Sequence, residues 1–486
     1  MTSRKGDDID RRTFLIGGST VAGLFALTAC TTPGPDDTPT PPPAPEPSGG
    51  VGPDDLELLV PQPTAMRRSN WGSDPYALGA ASYLAVGATQ RHRELLAQPV
   101  DDLVFFAGEA TSGGRPGTVA GARASGSRAA SEVAIAATSG ERIAIIGAGI
   151  AGAQCARDLT DAGFDVTILE ARERVGGRID SRVDDDWPLP VELGAGTLDS
   201  VTSAELIDAL ELADVATLAI DGAVDVRSPD GVAVEPSEVG SSTISEAVTL
   251  ARRSLAGTVG DVSLETALND LGSTPTSDDE SSPTDAEWVD SAVRSSVGVE
   301  YGADASDFSA LSGFDDGRRE SDRLVVGSLQ GYVESLVEDV DVWTASVVLA
   351  IVYGDEGVSI RLGTGESLQV DRVVVTVPLG VLKSGDLTFD PPLPTSHTVA
   401  TVMLGMGTID TVWLRFDEPF WSSTASRWSV VGGDLDIVEW INLEPSTGSA
   451  VLVGVVGGER ALALAELSDD EIVVRARASL EPFLSS

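Results

Sequence analysis

The sequence predicts an α/β protein, a doubly wound domain on a parallel sheet joined to an α+β domain with a mixed or antiparallel sheet. Three observations carry this reading. "RIAIIG" (Arg142 to Gly147) is short, nearly all apolar and rich in isoleucine, the pattern of a strand buried on both faces. It enters Gly147-Ala148-Gly149-Ile150-Ala151-Gly152, then a helical stretch stopping at Gly163, then a second buried strand, "DVTILE", ending at Glu170. Far downstream, "TVWLRFDEPFW" and "AVLVGVVGG" alternate and are β-branched, as strands of a separate sheet are.

The N-terminus stands apart from this core. "DRRTFLIGGSTVAGLFALTAC" has paired arginines (Arg11, Arg12) before an apolar run too short for a comfortable membrane span. The pair with Thr13, Phe14 and Leu15 resembles a twin-arginine export signal. Leu27 to Cys30 resembles a bacterial lipobox, which implies that Cys30 is acylated. The expectation is a lipoprotein anchored to the outer face of the cytoplasmic membrane; the plainer reading is a soluble protein with an apolar leader. From residue 30 to about 54 the chain is Pro-rich without apolar periodicity. It reads as a semi-rigid tether reaching on the order of 70 Å at about 3.1 Å per residue.

Net charge is −44, with 32 basic and 76 acidic residues, which argues against nucleic acid as a partner. Such a surface concentrates a cationic small molecule at low salt, although acidity also serves solubility alone. Beyond Cys30 only Cys155 remains, so no intrachain disulfide forms in the exported body. Neither His92 nor His397 falls in a catalytic arrangement, and no metal-ligand spacing occurs.

The glycine segment has a specific physical logic. Gly147 permits a tight turn, Gly149 lets backbone approach a pyrophosphate, and Gly152 allows close helix–strand contact, with Ala151 in the same turn. The helix N-terminus faces the anion, and Glu170, 21 residues past Gly149, can accept from a ribose. An ordinary glycine-rich turn is the alternative, and the strand on either side counts against it. The domain is thus a Rossmann-like dinucleotide-binding one.

"EARERVGGRI", with Arg172, Gly176, Gly177 and Arg178, and "VELGAGTL" follow. Together with the glycine turn they resemble the flavin-containing amine oxidases of the monoamine and polyamine oxidase type. The resemblance implies FAD rather than NAD, with Arg172 to Arg178 near its phosphates. Attachment is expected to be noncovalent, because monoamine oxidases hold flavin through a cysteine close to the region matched by "YALGAASY" (Tyr76 to Tyr83), which has none. The resemblance places Gly194, Ala195, Gly196 and Thr197 near the isoalloxazine, and Val348 at the adenine. "VFFAGEATSGGRPGTVAGARASGSRAA" (Val104 to Ala130) resembles that family's closing segment and brings Glu109, Thr118 and Val119 to the flavin. Glycines around Gly121 and Gly126 are expected to let that helix pack closely against the cofactor.

That closing segment precedes the opening one. "PQPTAMRRSNWGSDPYALGAASYLAVG" (Pro61 to Gly87) resembles the link leading into it, whereas the chain stops after "RARASLEPFLSS". Each family segment occurs once, in the order last, first, middle, which is the signature of a circular permutation. Termini of compact domains lie near each other at the surface, so "AATSGER" (Ala136 to Arg142) suffices to rejoin them. The expected organisation is a signal (1–29), a tether (30–54) and an FAD-binding part (55–199, permuted segment 55–137 followed by 141–199). Substrate-domain (200–320), FAD-binding (321–388) and substrate-domain (389–458) stretches follow, then a helix returning to the FAD-binding part (459–486).

By the resemblance, the activity is oxidation of a C–N bond in an amine, polyamine or amino acid by hydride transfer to flavin N5. Trp71 and Tyr83 match aromatic positions beside the flavin, with core packing as the other reading. Thr411 stands where many relatives carry a lysine thought to assist reoxidation by oxygen. Two alternatives remain: an FAD dehydrogenase or desaturase of an apolar substrate, and a flavin-binding surface module without oxidase activity. Oligomeric state is not legible.

Overall fold

Strand pairing organises the chain around one parallel sheet. The computed structural model describes residues 59–220, 222–258, 260–272, 283–315 and 321–484; the expected signal, Cys30 and the tether lie outside them. In the five-stranded parallel sheet the order is Asp341–Trp343, Asp165–Leu169, Arg142–Ile146, Arg372–Val375, Val104–Phe106. Alternation along the strands decides what covers each face. Ile143 and Ile145 join a core with helices Val119–Ala136 and Ile150–Asp161. Ala144 and Ile146 face Ile351, Val358 and Ile360 of a four-stranded mixed sheet, with strands Ser367–Val370, Gly357–Leu362, Val348–Gly354 and Thr388–Asp390. The parallel sheet is thus roofed by helices on one side and by a small sheet on the other.

A second, six-stranded sheet has the order Ala65–Arg68, Ile409–Arg415, Val451–Gly457, Glu439–Asn442, Arg427–Val430, Val224–Arg227. All its pairs are antiparallel except the last, which is parallel. Trp421, Trp428 and Trp440 fill its core, so Trp421 is structural. A helical region with strand Ala81–Leu84, which pairs with Leu404–Gly407, a three-stranded sheet (Thr197–Leu198, Arg323–Val325, Thr217–Ala219) and the pair Ser181–Arg182 with Val191–Glu192 lie beside these sheets.

Two expected boundaries are corrected here. Residues 65–68 and 81–84 fall in the sheets of the second region, because their alternating partners lie at 412–415 and 404–407. The last helix, Asp469–Leu480, opens with the expected Ser468–Glu471 capping box but buries Ile472, Ala476 and Leu480 against the six-stranded sheet, not the parallel one. Lys383, on helix Leu379–Ser384, closes a neighbouring helix end. Its Nζ donates to the carbonyls of Thr401 (2.9 Å), Val402 (3.0 Å) and Leu404 (2.7 Å), at the end of helix Thr395–Met403.

Candidate cofactor site

A cavity of about 1060 Å³, open mouth included, runs along the C-terminal ends of the parallel strands. Backbone builds one part of its wall. Strand Arg142–Ile146 stops at Gly147, whose φ of +103° is a region that L side chains rarely adopt. A Cβ on Gly152 would sit 2.0 Å from the Gly147 carbonyl, so glycine is required for helix Ile150–Asp161 to start there. Gly149 differs. A Cβ on it would meet no protein atom closer than 3.8 Å, so its bare backbone serves the cavity and not packing. The helix has Gly149 as its N-cap and no side-chain cap, leaving first-turn N–H groups to bind an anion. Glu170 stands opposite, 3% exposed, and accepts from the Ala148 N–H (2.7 Å) and the Arg172 N–H (2.8 Å). Each carboxylate oxygen keeps a lone pair for a ribose hydroxyl.

Charges build another part of the wall. Glu109 is 4% exposed and pairs with Arg178 at 2.9 Å. Its other oxygen accepts from the Ser82 hydroxyl (2.6 Å) and the Gly117 N–H (2.8 Å). Burial pushes this carboxyl up, but Arg178, Arg93 and Ser82 outweigh it and bring it down to about 2. Arg178 also donates to the Ala80 carbonyl (2.7 Å), while Arg172 pairs with Asp74 (2.5 Å) and lies over the Tyr76 ring. Residues 74–80 therefore clamp two of the three arginines of the 170–179 loop, Arg172 and Arg178.

Of the residues expected from sequence, Gly147, Gly149, Ala151, Glu170, Arg172, Gly176, Gly177, Arg178, Ala195, Val348, Glu109, Thr118 and Val119 line this cavity. Gly152, Gly194, Gly196 and Thr197 do not, and act one step behind. Gly194 lets the loop pass the Arg178 carbonyl, which a Cβ would meet at 1.8 Å, and Gly196 sits against Glu192. Thr197 pairs with Leu324. Gly121 and Gly126, expected against the cofactor, instead meet the Arg115 and Ala151 carbonyls, so they serve close protein packing.

Trp71, Tyr83 and Thr411 also lie off the cavity wall. Trp71 donates its indole N–H to the Leu193 carbonyl (3.1 Å) and its backbone N–H to Asp410 Oδ1 (2.9 Å), bracing the Gly194 loop. Tyr83 is a core tyrosine stacked on Phe308, with burial raising its phenol pKa. Thr411 donates its backbone N–H to the Ser69 hydroxyl oxygen (2.9 Å), and its own Oγ1 is buried with no hydrogen-bond partner. Sequence reasoning did not single out Ser82, Arg93, Tyr76, Thr376 and Asp410, although Tyr76 and Ser82 lie within the Pro61–Gly87 stretch. Thr376 donates its hydroxyl to the Ile146 carbonyl (2.8 Å) beside the glycine turn. Glu192 was missed too. Burial raises its carboxyl to about 7, against hydrogen bonds from the Leu329 N–H and the Ser181 hydroxyl.

The model of the flavin containing amine oxidoreductase family matches residues 54–134 and 150–485. The chain belongs to this family. Among curated relatives, polyamine oxidase 4 of Oryza sativa subsp. japonica is 28% identical over 352 residues, 68% of this chain and 70% of the relative. Probable polyamine oxidase 4 of Arabidopsis thaliana is 27% identical over 68% of each chain. Putrescine oxidase bound to putrescine shares the fold, with a TM-score of 0.56 at 23% identity over 71% of this chain and 82% of that one. The cofactor of this flavin amine oxidoreductase is FAD, and the cavity fits it: a bare glycine at Gly149, uncapped helix N–H groups, an acid at Glu170 and cations at Arg172 and Arg178.

Proposed function

We propose that this flavin amine oxidoreductase oxidises the C–N bond of a small amine, polyamine or amino acid with noncovalent FAD, on a circularly permuted chain exported as a lipoprotein. The observation that carries the oxidase reading is the cavity itself, mostly apolar in its lining around a short series of placed charges. Bound flavin supplies a two-electron acceptor for the substrate C–H. The protein's residues bind and orient: Glu170 and the Gly149 turn hold one part of the dinucleotide, while Glu109 and Arg178 shape another part of the wall. Trp71 and Asp410 brace the Gly194–Ala195 loop that completes the wall. Noncovalent attachment is favoured because Cys155, fully buried in helix Ile150–Asp161 with its thiol pKa raised by burial, is the one described cysteine.

The test is anaerobic: mono-, di- and polyamines, amino acids and apolar alkenes are added to the holoprotein and flavin absorbance is followed. Bleaching by amines is expected. Bleaching by apolar compounds alone favours a desaturase, and bleaching by none favours a binding module. Thr411 gives the acceptor its own reading, because a threonine supplies no positive charge to an anion formed as oxygen is reduced. Slow reoxidation by oxygen, quickened in Thr411→Lys, is the expected stopped-flow result; fast reoxidation unchanged by the substitution rejects it.

Support for the permutation comes from contacts. Val104–Phe106 and Arg142–Ile146 flank one strand of one sheet. Arg477 donates to the Val60 carbonyl (2.9 and 2.6 Å), so the last helix adjoins the first described residues. A chain reordered to begin at residue 141 and to end with residues 59–140 is expected to fold with FAD; failure to do so rejects the reading. The anchor rests on Arg11, Arg12 and Cys30. Cys30→Ala is expected to move the protein from the membrane to the soluble fraction, and unchanged membrane association rejects the anchor.

A further inference from the structure

Arg93, on helix Gln90–Leu96, is 0% exposed. A guanidinium is never neutral in a protein, and taking one out of water is costly unless its surroundings compensate. It donates to the Ser82 hydroxyl (2.5 Å), the Ser82 carbonyl (3.3 Å) and the Ala110 carbonyl (3.3 Å). Because Arg93 can only donate, the Ser82 hydroxyl must accept from it, and that hydroxyl's own proton goes to Glu109 at 2.6 Å. The chain Arg93–Ser82–Glu109–Arg178 is therefore directional, and only its last two members line the cavity.

We propose that Arg93 is a positioning residue for the flavin: acting through Ser82, it holds Glu109 ionised and in one orientation on the cavity wall. The inference rests on FAD occupying this cavity. The charged groups around Glu109 are few. Arg178 faces it from the 170–179 loop and Arg93 from the short helix. From helix Val119–Ala136, Arg128 reaches the Thr111 hydroxyl and the Phe106 carbonyl but is paired with Glu132. With either Arg93 or the Ser82 proton removed, less opposes burial than the full set of Arg178, Arg93, Ser82 and the Gly117 N–H, and the carboxyl moves up toward or past the ordinary carboxylate range.

The experiment measures the FAD dissociation constant of wild type, Arg93→Gln, Arg93→Lys and Ser82→Ala from pH 8 to pH 4.5, with melting temperature followed in parallel. In wild type the constant is expected to stay flat across this range, since Glu109 remains ionised. In Arg93→Gln it is expected to rise about tenfold between pH 7 and pH 4.5, as a carboxyl one unit above the final pH would require. Ser82→Ala is expected to show the same step with the buried cation intact, and Arg93→Lys to restore a flatter profile. A flat profile in Arg93→Gln despite a lowered melting temperature would mean that Arg93 is structural only, and overturns the proposal. If Arg93→Gln does not fold, a flat profile in Ser82→Ala overturns it by itself. A wild type that takes up no FAD rejects the cavity assignment, a failure distinct from these.

Discussion

Two parts of the FAD cavity wall are built from opposite materials. At the glycine turn, positions 147, 149 and 152 work by what they lack, and a helix N-terminus supplies the polarity. In the other part, Glu109, Arg178, Ser82 and Arg93 work by what they carry, with charges taken out of water and paired. In the first, the backbone is shaped by steric fit, which is indifferent to pH. The second is held by ionisation, which is not. A site made this way tolerates few side chains in one part and few charge changes in the other.

The largest expected effect is in the charged part. Glu109→Gln leaves two guanidiniums without their carboxylate and is expected to cost about 3–5 kcal/mol in chemical denaturation at neutral pH. Glu109 is held below the usual carboxylate range, down to about 2. Its contribution is therefore present above the ordinary carboxylate pKa and is lost as pH falls toward 2. The gap between wild type and variant should close only in strong acid. A gap already closed at pH 5 would mean that the pairing is not what holds this part.

Glu192 has the opposite sign. Its carboxyl is raised to about 7, so the folded state favours the protonated form. The stability it brings is full below the ordinary carboxylate pKa and is lost as pH rises through about 7. Relative to Glu192→Gln, wild type is expected to lose about 3 kcal/mol between pH 4.5 and pH 8, read from denaturation midpoints. A constant difference across that range would place the carboxylate in a wetter setting than its 1% exposure implies.

Smallest, and independent of pH, is Gly152→Ala. Its Cβ would lie 2.0 Å from the Gly147 carbonyl, so the turn must shift, at about 1–3 kcal/mol with loss of FAD affinity. The same loss at pH 5 and pH 8 keeps the two parts distinct. A loss that varies with pH as the Glu109→Gln effect does would erase the comparison.

This contrast also explains what the sequence made legible. The glycine turn, the flanking strands and Glu170 lie within one short run, and their spacing carries the geometry. The charged part draws Ser82, Arg93, Glu109 and Arg178 from four separate stretches. Of these, Glu109 and Arg178 were legible only through a motif. Nothing in "QRHRELLAQ" distinguishes an arginine that is buried from its exposed neighbours. Tyr83 shows the converse, since an aromatic residue in a promising motif proved to be packed against Phe308. The boundaries at 55 and 459 misled for a similar reason: strand partners hundreds of residues away decide which sheet a short strand joins.

The lysine clamped against three carbonyls has a consequence for self-inflicted chemical damage. Oxidising a C–N bond leaves an imine, which water splits into a carbonyl compound, and aldehydes condense readily with primary amines. Only two of the chain's 32 basic residues are lysines, and Lys383 is the one in the described body. Burial lowers its proton affinity, yet the carbonyls of Thr401, Val402 and Leu404 engage all three N–H bonds of the ammonium form. Positive charge elsewhere in the body is carried by guanidinium, a far weaker nucleophile. A catalyst built this way presents its own product with almost nothing to cross-link.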